Sequence, residues 1–312
     1  MRIIRDTLYI DPNDRGATAA IGNFDGVHLG HQSVIDITRE AAMQAGAPLG
    51  IMTFEPHPRS YFSRDTNPFR LMNAEAKANR LAQLGVEKLY EVPFNEALAQ
   101  LSAADFAQEI IATRLGLKHV VVGADFCFGK GRSGTAADLQ SFGAEMGFGV
   151  TIAPMKSLGP TEVSSTAIRT ALTEGRPQDA SAMLGHWHRL VGEVIRGHQR
   201  GRELGYPTAN MSIDGLHLPK FGVYAVKVDV LDGPHAGSYN GAASIGVRPM
   251  FDGDHPNCET FVFDFTGDLY GATISVALVD YLRPELTFDG LDALITQMDA
   301  DCVKAREILA HV

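Results

Sequence analysis

Basic charge is scarce in this chain: 27 Lys and Arg stand against 37 Asp and Glu, a formal charge of −10 at pH 7. Nonspecific nucleic-acid binding needs a basic stripe, so no nucleic-acid partner is expected. An anionic ligand would have to be met by local Arg, His, backbone N–H groups or a divalent cation. Cysteine is equally thin. Cys127, Cys258 and Cys302 are odd in number and in no metal-ligand spacing, which argues against a disulfide framework or a zinc site and leaves incidental thiols. No apolar run approaches the ~18 residues that would span a bilayer. The opening Met1-Arg2-Ile3-Ile4-Arg5-Asp6 lacks the apolar region of a signal peptide, so a cytoplasmic protein with no membrane partner is expected. Repeats and low-complexity segments are missing too. What remains is an ordinary globular composition, 45% hydrophobic and 21% charged over 312 residues, a length that suits about two domains.

The texture of the chain changes once. From Ala17 to Thr173 short apolar runs alternate with helical patterns, the sign of a parallel sheet covered by helices. Strands are predicted at Ala17 to Phe24, Leu49 to Phe54, Lys88 to Val92, His119 to Gly123 and Val150 to Met155. Helices are predicted at Gly30 to Ala45, Asn73 to Leu84, Ser102 to Leu115 and Thr135 to Gly147, with a last one starting at Ser164-Ser165-Thr166. From His186 onward, β-rich runs alternate with Gly and Pro: Phe221 to Val230, Gly241 to Gly246, Thr260 to Phe265 and Ile274 to Tyr281. That is the pattern of a small antiparallel barrel, closed by a helix over Leu291 to Leu309. The expected organisation is therefore α/β, with a Rossmann-like domain over 1–185 and a β-barrel domain over 186–312.

Within the first half, Gly22-Asn23-Phe24-Asp25-Gly26-Val27-His28-Leu29-Gly30-His31 falls where a strand becomes a helix. The first N–H groups of a helix lack intrahelical partners and its N-terminal end is positive, so the junction attracts phosphate. Gly22, Gly26 and Gly30 allow backbone to approach a ligand. His28 and His31, three apart, can reach one phosphate group. The alternative, histidines that cap the helix or bind a metal, finds no Cys or acidic cluster nearby to complete a ligand set. Phe24 to His31 resembles the HxGH signature of the nucleotidyltransferase superfamily, in the extended form of bacterial FAD synthetases. The resemblance implies that His28 and His31 stabilise the α-phosphate and departing pyrophosphate during adenylyl transfer, with Gly22, Phe24, Asp25 and Gly30 in the ATP site.

Two further stretches bear on that domain. Gly129, Gly131 and Gly134 form a G-x-G-x-x-G, but a polar and aromatic segment separates it from its strand and no acid stands about 20 residues on, so a dinucleotide fingerprint is rejected. Gly123 to Gly134 instead resembles the family's flavin-side loop, which implies Asp125, Phe126 and Phe128 near the isoalloxazine. Ser164-Ser165-Thr166-Ala167-Ile168-Arg169 resembles the second nucleotide motif, implying that Ser164, Ser165, Thr166 and Arg169 hold the triphosphate. Some members carry another Arg where Ala167 stands. Glu55-Pro56-His57-Pro58 also looks like a family feature, and an extended turn forced by two prolines explains it nearly as well.

The second half has its own cluster. Gly197 to Asn210 packs three glycines before Pro207-Thr208-Ala209-Asn210, and Gly-rich backbone followed by a hydroxyl and an amide oxygen suits phosphates with Mg²⁺. This run closely resembles the riboflavin kinase signature. The resemblance implies Gly197, Gly201, Arg202 and Gly205 at ATP, Thr208 and Asn210 on the metal, Glu259 as general base and Arg248 at the flavin. Ser244 and Met250 depart from the family's Asn-x-Gly-x-x-Pro-Thr form.

Two unrelated motif sets in family order, over nearly the whole chain, imply a bifunctional enzyme that converts riboflavin to FMN and FMN to FAD with ATP and Mg²⁺. Another HxGH transferase, acting on a nicotinate or pantetheine nucleotide, would leave the second cluster unexplained. A flavin-binding protein with a silent kinase half is suggested by Ser244 and Met250 and opposed by Thr208, Asn210 and Glu259. Self-association is not legible.

Overall fold

A computed structural model describes residues 1–62, 68–154, 157–158, 161–197, 205–250 and 253–312, of which 157–158, 161–162, 248–250 and 253–254 are described by backbone alone. The chain packs as two compact units. One comprises Met1–Thr66 with Ala74–Val163, the other Asn67–Asn73 with Ser164–Val312.

In the first unit, strands β1 (Arg2–Ile4), β2 (Thr18–Ile21), β3 (Leu49–Glu55), β4 (Lys88–Pro93) and β5 (His119–Gly123) lead to a hairpin, β6 (Cys127–Phe128) and β7 (Gly134–Thr135), and then to β8 (Gly149–Ala153). Six of them form a parallel sheet in the order β1-β4-β3-β2-β5-β8. All four residues of β2 are buried, as is β3 up to its last residue, because a parallel sheet is covered on both faces. Those continuous apolar runs made the inner strands legible. The edge strand β1 was not foreseen, since three residues with one buried give no pattern. Chain order reverses between β2 and β5, so the crevice outside their carboxyl ends is where such sheets take ligands.

Helix ends follow local chemistry. Helix Ala136–Met146 opens on a capping box between Thr135 and Asp138 and closes on Gly147 at φ 84°. The helix expected over Ser102 to Leu115 instead takes one turn, Ala103–Asp105, and continues as a π-helix, Phe106–Leu115. Its buried residues Phe106, Ile110, Ile111 and Leu115 are spaced four and five apart, which i→i+5 turns align better than 3.6-residue ones. The glycines of the rejected fingerprint fall at the β6–β7 hairpin within the connection from β5 to helix Ala136–Met146, not in a tight turn directly after β5.

In the second unit, after a backbone pairing of β9 (Ser157–Leu158) with β10 (Thr161–Glu162) at the end of the first, come helices Ser165–Thr173 and Pro177–Leu184 and six antiparallel strands. These are β11 (His188–Glu193), β12 (Thr208–Ser212), β13 (Gly222–Val230), β14 (Gly237–Met250), β15 (Gly253–Val262) and β16 (Thr273–Arg283), in the order β11-β16-β13-β14-β15-β12. A bridge between Ile195 and Asn210 links the two edges, so the sheet curls toward a barrel. The strand expected over Thr260 to Phe265 ends at Val262, because Asp264 takes a left-handed φ of 56°. The expected terminal helix forms over Leu291–Leu309, and Ala305 and Leu309 pack on Ala225, Ala242, Phe263 and Val279 of the sheet.

Candidate active sites

At the end of β2 the backbone makes a strained turn. Phe24 and Val27 adopt φ of 51° and 44°, with Gly26 at 87° between them. A β-branched residue rarely enters that region, at a cost of roughly 1–3 kcal/mol, and such strain concentrates where a ligand must be gripped. Phe24, Asp25, Val27 and His28 are all buried. His28 is the N-cap of helix Leu29–Ala45, its Nδ1 accepting from the His31 N–H at 3.3 Å, so the capping role weighed against the phosphate role does occupy one nitrogen. The two imidazoles stack at 3.6 Å between centroids. Burial, followed by the nearby His28 and Lys77, holds His31 well below the ordinary histidine value, and its ring is neutral at pH 7. Its Nδ1 is enclosed and has no hydrogen-bond partner among the described residues. An unsatisfied buried nitrogen at a helix start is a waiting contact for a ligand oxygen. Gly30 belongs here for steric reasons: a Cβ on it would press to 3.0 Å from the His28 ring.

Sequence reading missed Lys77. It is 3% exposed, and its Nζ donates to Thr53 Oγ1 at 3.1 Å and Glu55 Oε1 at 2.9 Å. The Thr53 hydroxyl donates in turn to the Asn23 carbonyl at 3.2 Å, so this cation is tied into the strained turn. Glu55 of the Glu-Pro-His-Pro stretch thereby gains a partner, and Pro58 opens the short helix Pro58–Phe62. The signal was present in the spacing: Lys77 lies four residues before the buried Leu81, on the inner face of helix Ala74–Gln83.

After β5, at the other side of the crevice, Asp125 folds its carboxylate back toward Gly123, where a Cβ would meet Oδ1 at 2.8 Å. Phe126 is half-buried and stacks on the buried Phe128 at 5.4 Å, which in turn packs on Phe106. Ser164 caps helix Ser165–Thr173, accepting from the Ala167 N–H at 3.2 Å, and Arg169 donates to the Phe69 carbonyl at 2.6 Å. This whole motif, with Ser165 and Thr166, packs in the second unit.

The second unit holds a cavity of about 250 Å³ lined by Thr208, Ser244, Glu259 and Arg283, with Tyr206 and Phe288 among its aromatic walls. Strand register explains the grouping: Asn210 lies opposite Glu259, and Glu259 opposite Ser244. Asn210 is 5% exposed, and its amide lies 3.3 Å from the Thr208 hydroxyl. A Cβ on Gly197 would lie 2.7 Å from the Asn210 amide carbon, so only glycine lets that segment cross Asn210. Asn257, also unforeseen, donates from Nδ2 to both Asn210 Oδ1 at 3.3 Å and Glu259 Oε1 at 3.2 Å. Arg283 makes a paired hydrogen bond to Asp301 of the terminal helix, at 3.0 and 2.9 Å, at the cavity wall. No group of three His, Cys, Asp or Glu suited to a metal occurs among the described residues. Neutral hydroxyl and amide oxygens nevertheless fit Mg²⁺ that is carried largely by nucleotide phosphates, since Asn210 Oδ1 accepts from Asn257 and keeps a second lone pair. Gly205 takes φ 84°. Gly201 and Arg202 lie outside the described residues, as does the Arg248 side chain.

Comparison with known proteins also divides the chain in two. A family model for FAD synthetase matches residues 10–167, and one for riboflavin kinase matches residues 184–309. The bifunctional riboflavin kinase/FMN adenylyltransferase of Pseudomonas fluorescens is 40% identical over 311 residues, 99% of this chain and 98% of that one. The enzyme of the same name from Bacillus subtilis is 38% identical, covering 90% of this chain and 89% of that one. Among solved structures, one described as a macrolide-efflux protein from Streptococcus pneumoniae superposes with a TM-score of 0.82 at 32% identity, over 96% of each chain. No helix among the described residues is long and apolar enough to cross a membrane.

Proposed function

We infer from these sites, in a chain that belongs to the family of bifunctional riboflavin kinase/FMN adenylyltransferases, how each half carries out its step. The chain is a transferase of flavin cofactor biosynthesis, phosphorylating riboflavin with ATP and then adenylylating FMN to FAD. A match to riboflavin kinase over residues 184–309 accounts for the half that other HxGH transferases would leave idle. The assignment of residues, the division at 185/186, the use of Mg²⁺ and a cytoplasmic setting are the proposal. A cytoplasmic setting accords with three unpaired thiols.

In the kinase half, Glu259 accepts the proton of the ribityl 5′-hydroxyl as that oxygen attacks the γ-phosphorus of ATP and ADP departs. Thr208 and Asn210 would hold Mg²⁺, which supplies charge neutralisation on the phosphates. Gly197, Gly201, Arg202 and Gly205 are assigned to ATP, and Arg248 to the flavin. In the adenylyltransferase half, a phosphate oxygen of FMN attacks the α-phosphorus of ATP, and pyrophosphate leaves. His31, neutral and enclosed, meets the reacting phosphate, while His28 stabilises it from the stacked ring. Gly22, Phe24, Asp25 and Gly30 shape the ATP side, with Ser164, Ser165, Thr166 and Arg169 on the triphosphate. Asp125 and Phe126, with Phe128 behind, line the flavin side.

One observation carries the reading: the unpartnered, buried Nδ1 of His31 in the first turn of helix Leu29–Ala45, directly after the strained turn at the carboxyl end of β2. The test is a time course with riboflavin, ATP and Mg²⁺, separated by chromatography. FMN should rise first and FAD follow. FAD from supplied FMN but no product from riboflavin would remove the kinase assignment.

A further inference from the structure

We propose that Asn257 is a positioning residue of the kinase site, its single carboxamide fixing Asn210 and Glu259 to each other. This rests on the roles just given to those two residues. Asn257 is 7% exposed in the middle of β15, where an amide is expensive unless its hydrogens find acceptors. Asparagine is also a poor strand residue, so its presence asks for a reason. Period-2 alternation puts Asn257 and Glu259 on one face of the strand, and register puts Asn210 directly across from Glu259. The three side chains therefore converge. A carboxamide nitrogen carries two donors, and both are used: one on Asn210 Oδ1 at 3.3 Å and the other on Glu259 Oε1 at 3.2 Å.

The chemistry of the bridge is specific to that side chain. An aspartate has the same shape but offers only acceptors, and it would set a second carboxylate beside Glu259. A serine offers one donor on a shorter stem. Neither can hold both partners. The bridge aims the Glu259 carboxylate and restrains the Asn210 amide, so that substrate hydroxyl, base and phosphate-bearing metal share one geometry. A misplacement of this kind costs turnover and leaves binding of the flavin ring intact, because the proposed contact to the ring is Arg248 and not the bridged pair.

The experiment uses the full chain with N257D, N257S and E259Q. Four quantities are measured: kcat for FMN formation, riboflavin affinity from quenching of its own fluorescence without ATP, adenylylation of supplied FMN, and thermal unfolding. Loss of a residue that orients a ligating or catalytic group commonly lowers activity by about 10–100-fold. The expected result is a kcat loss in that range, deeper for N257D than for N257S, with riboflavin affinity and FMN adenylylation unchanged. If N257D does not fold, N257S carries the test. Wild-type kcat in N257D or N257S with an inactive E259Q overturns the bridge while leaving the base assignment standing. A loss of riboflavin affinity equal to the loss of kcat also overturns it, since that marks a strand-packing role. Full activity in E259Q overturns the base assignment, and the bridge with it.

Discussion

A lysine with 3% of its surface exposed is costly unless paired, and Lys77 is paired twice. Its charge is one of the causes that keep His31 deprotonated, after burial and His28. Replacing it with methionine removes that charge, which favours protonated His31. Lys77→Met should therefore move the acid limb of FMN adenylylation to higher pH, by less than a full return to ordinary histidine behaviour, since burial remains. Rate profiles from pH 5 to 9 check this; an unmoved acid limb separates Lys77 from His31. Gly197 makes the sharper steric case. Gly197→Ala would drive a methyl into the Asn210 amide, so riboflavin phosphorylation should fall at least about tenfold while FMN adenylylation holds. The histidine pair was legible from its spacing alone. Lys77 was not, because a lysine in a helix ordinarily reads as solvated, and only its alignment with Leu81 marked it as inward.

At the scale of elements, β11 begins on a buried histidine. His188 is pushed down to about 3 by burial and by the neighbouring His217 and His186, and its Nε2 has no partner among the described residues. In the unfolded chain the same ring takes a proton near pH 6.5, so between about 3 and 6.5 the unfolded state binds the extra proton. Stability should thus be complete above 6.5 and decline as pH falls, at up to ~1.4 kcal/mol per pH unit from this ring. Urea unfolding at pH 5 and 7 measures it; His188→Phe should flatten the difference, and an unchanged slope would assign it to other groups. Element positions were largely readable because buried parallel strands are continuously apolar and helix ends carry Thr, Ser or Gly caps. The π-helix was not readable as such, and β11 and β12 were too short and mixed to stand out.

For the whole molecule, His28 and His31 pack in the first unit and Glu259 in the second, and that separation predicts separable losses. Glu259→Ala should abolish FMN formation and leave adenylylation of supplied FMN largely intact, whereas His28→Ala should stop FAD formation and let FMN accumulate. Product analysis of both variants decides it. An equal loss of both activities in a folded Glu259→Ala protein would sink the two-site description.

The sequence by itself determined the two-part architecture, the buried strands of a parallel sheet and the candidate residues for meeting phosphate, because periodicity and short motifs are local properties. Tertiary structure alone decided which groups share a cage. Lys77 reaches Thr53 and Glu55 across 24 and 22 residues, and Asn210 meets Asn257 across 47. Those encounters depend on sheet order and strand register, which emerge only when whole faces are buried together.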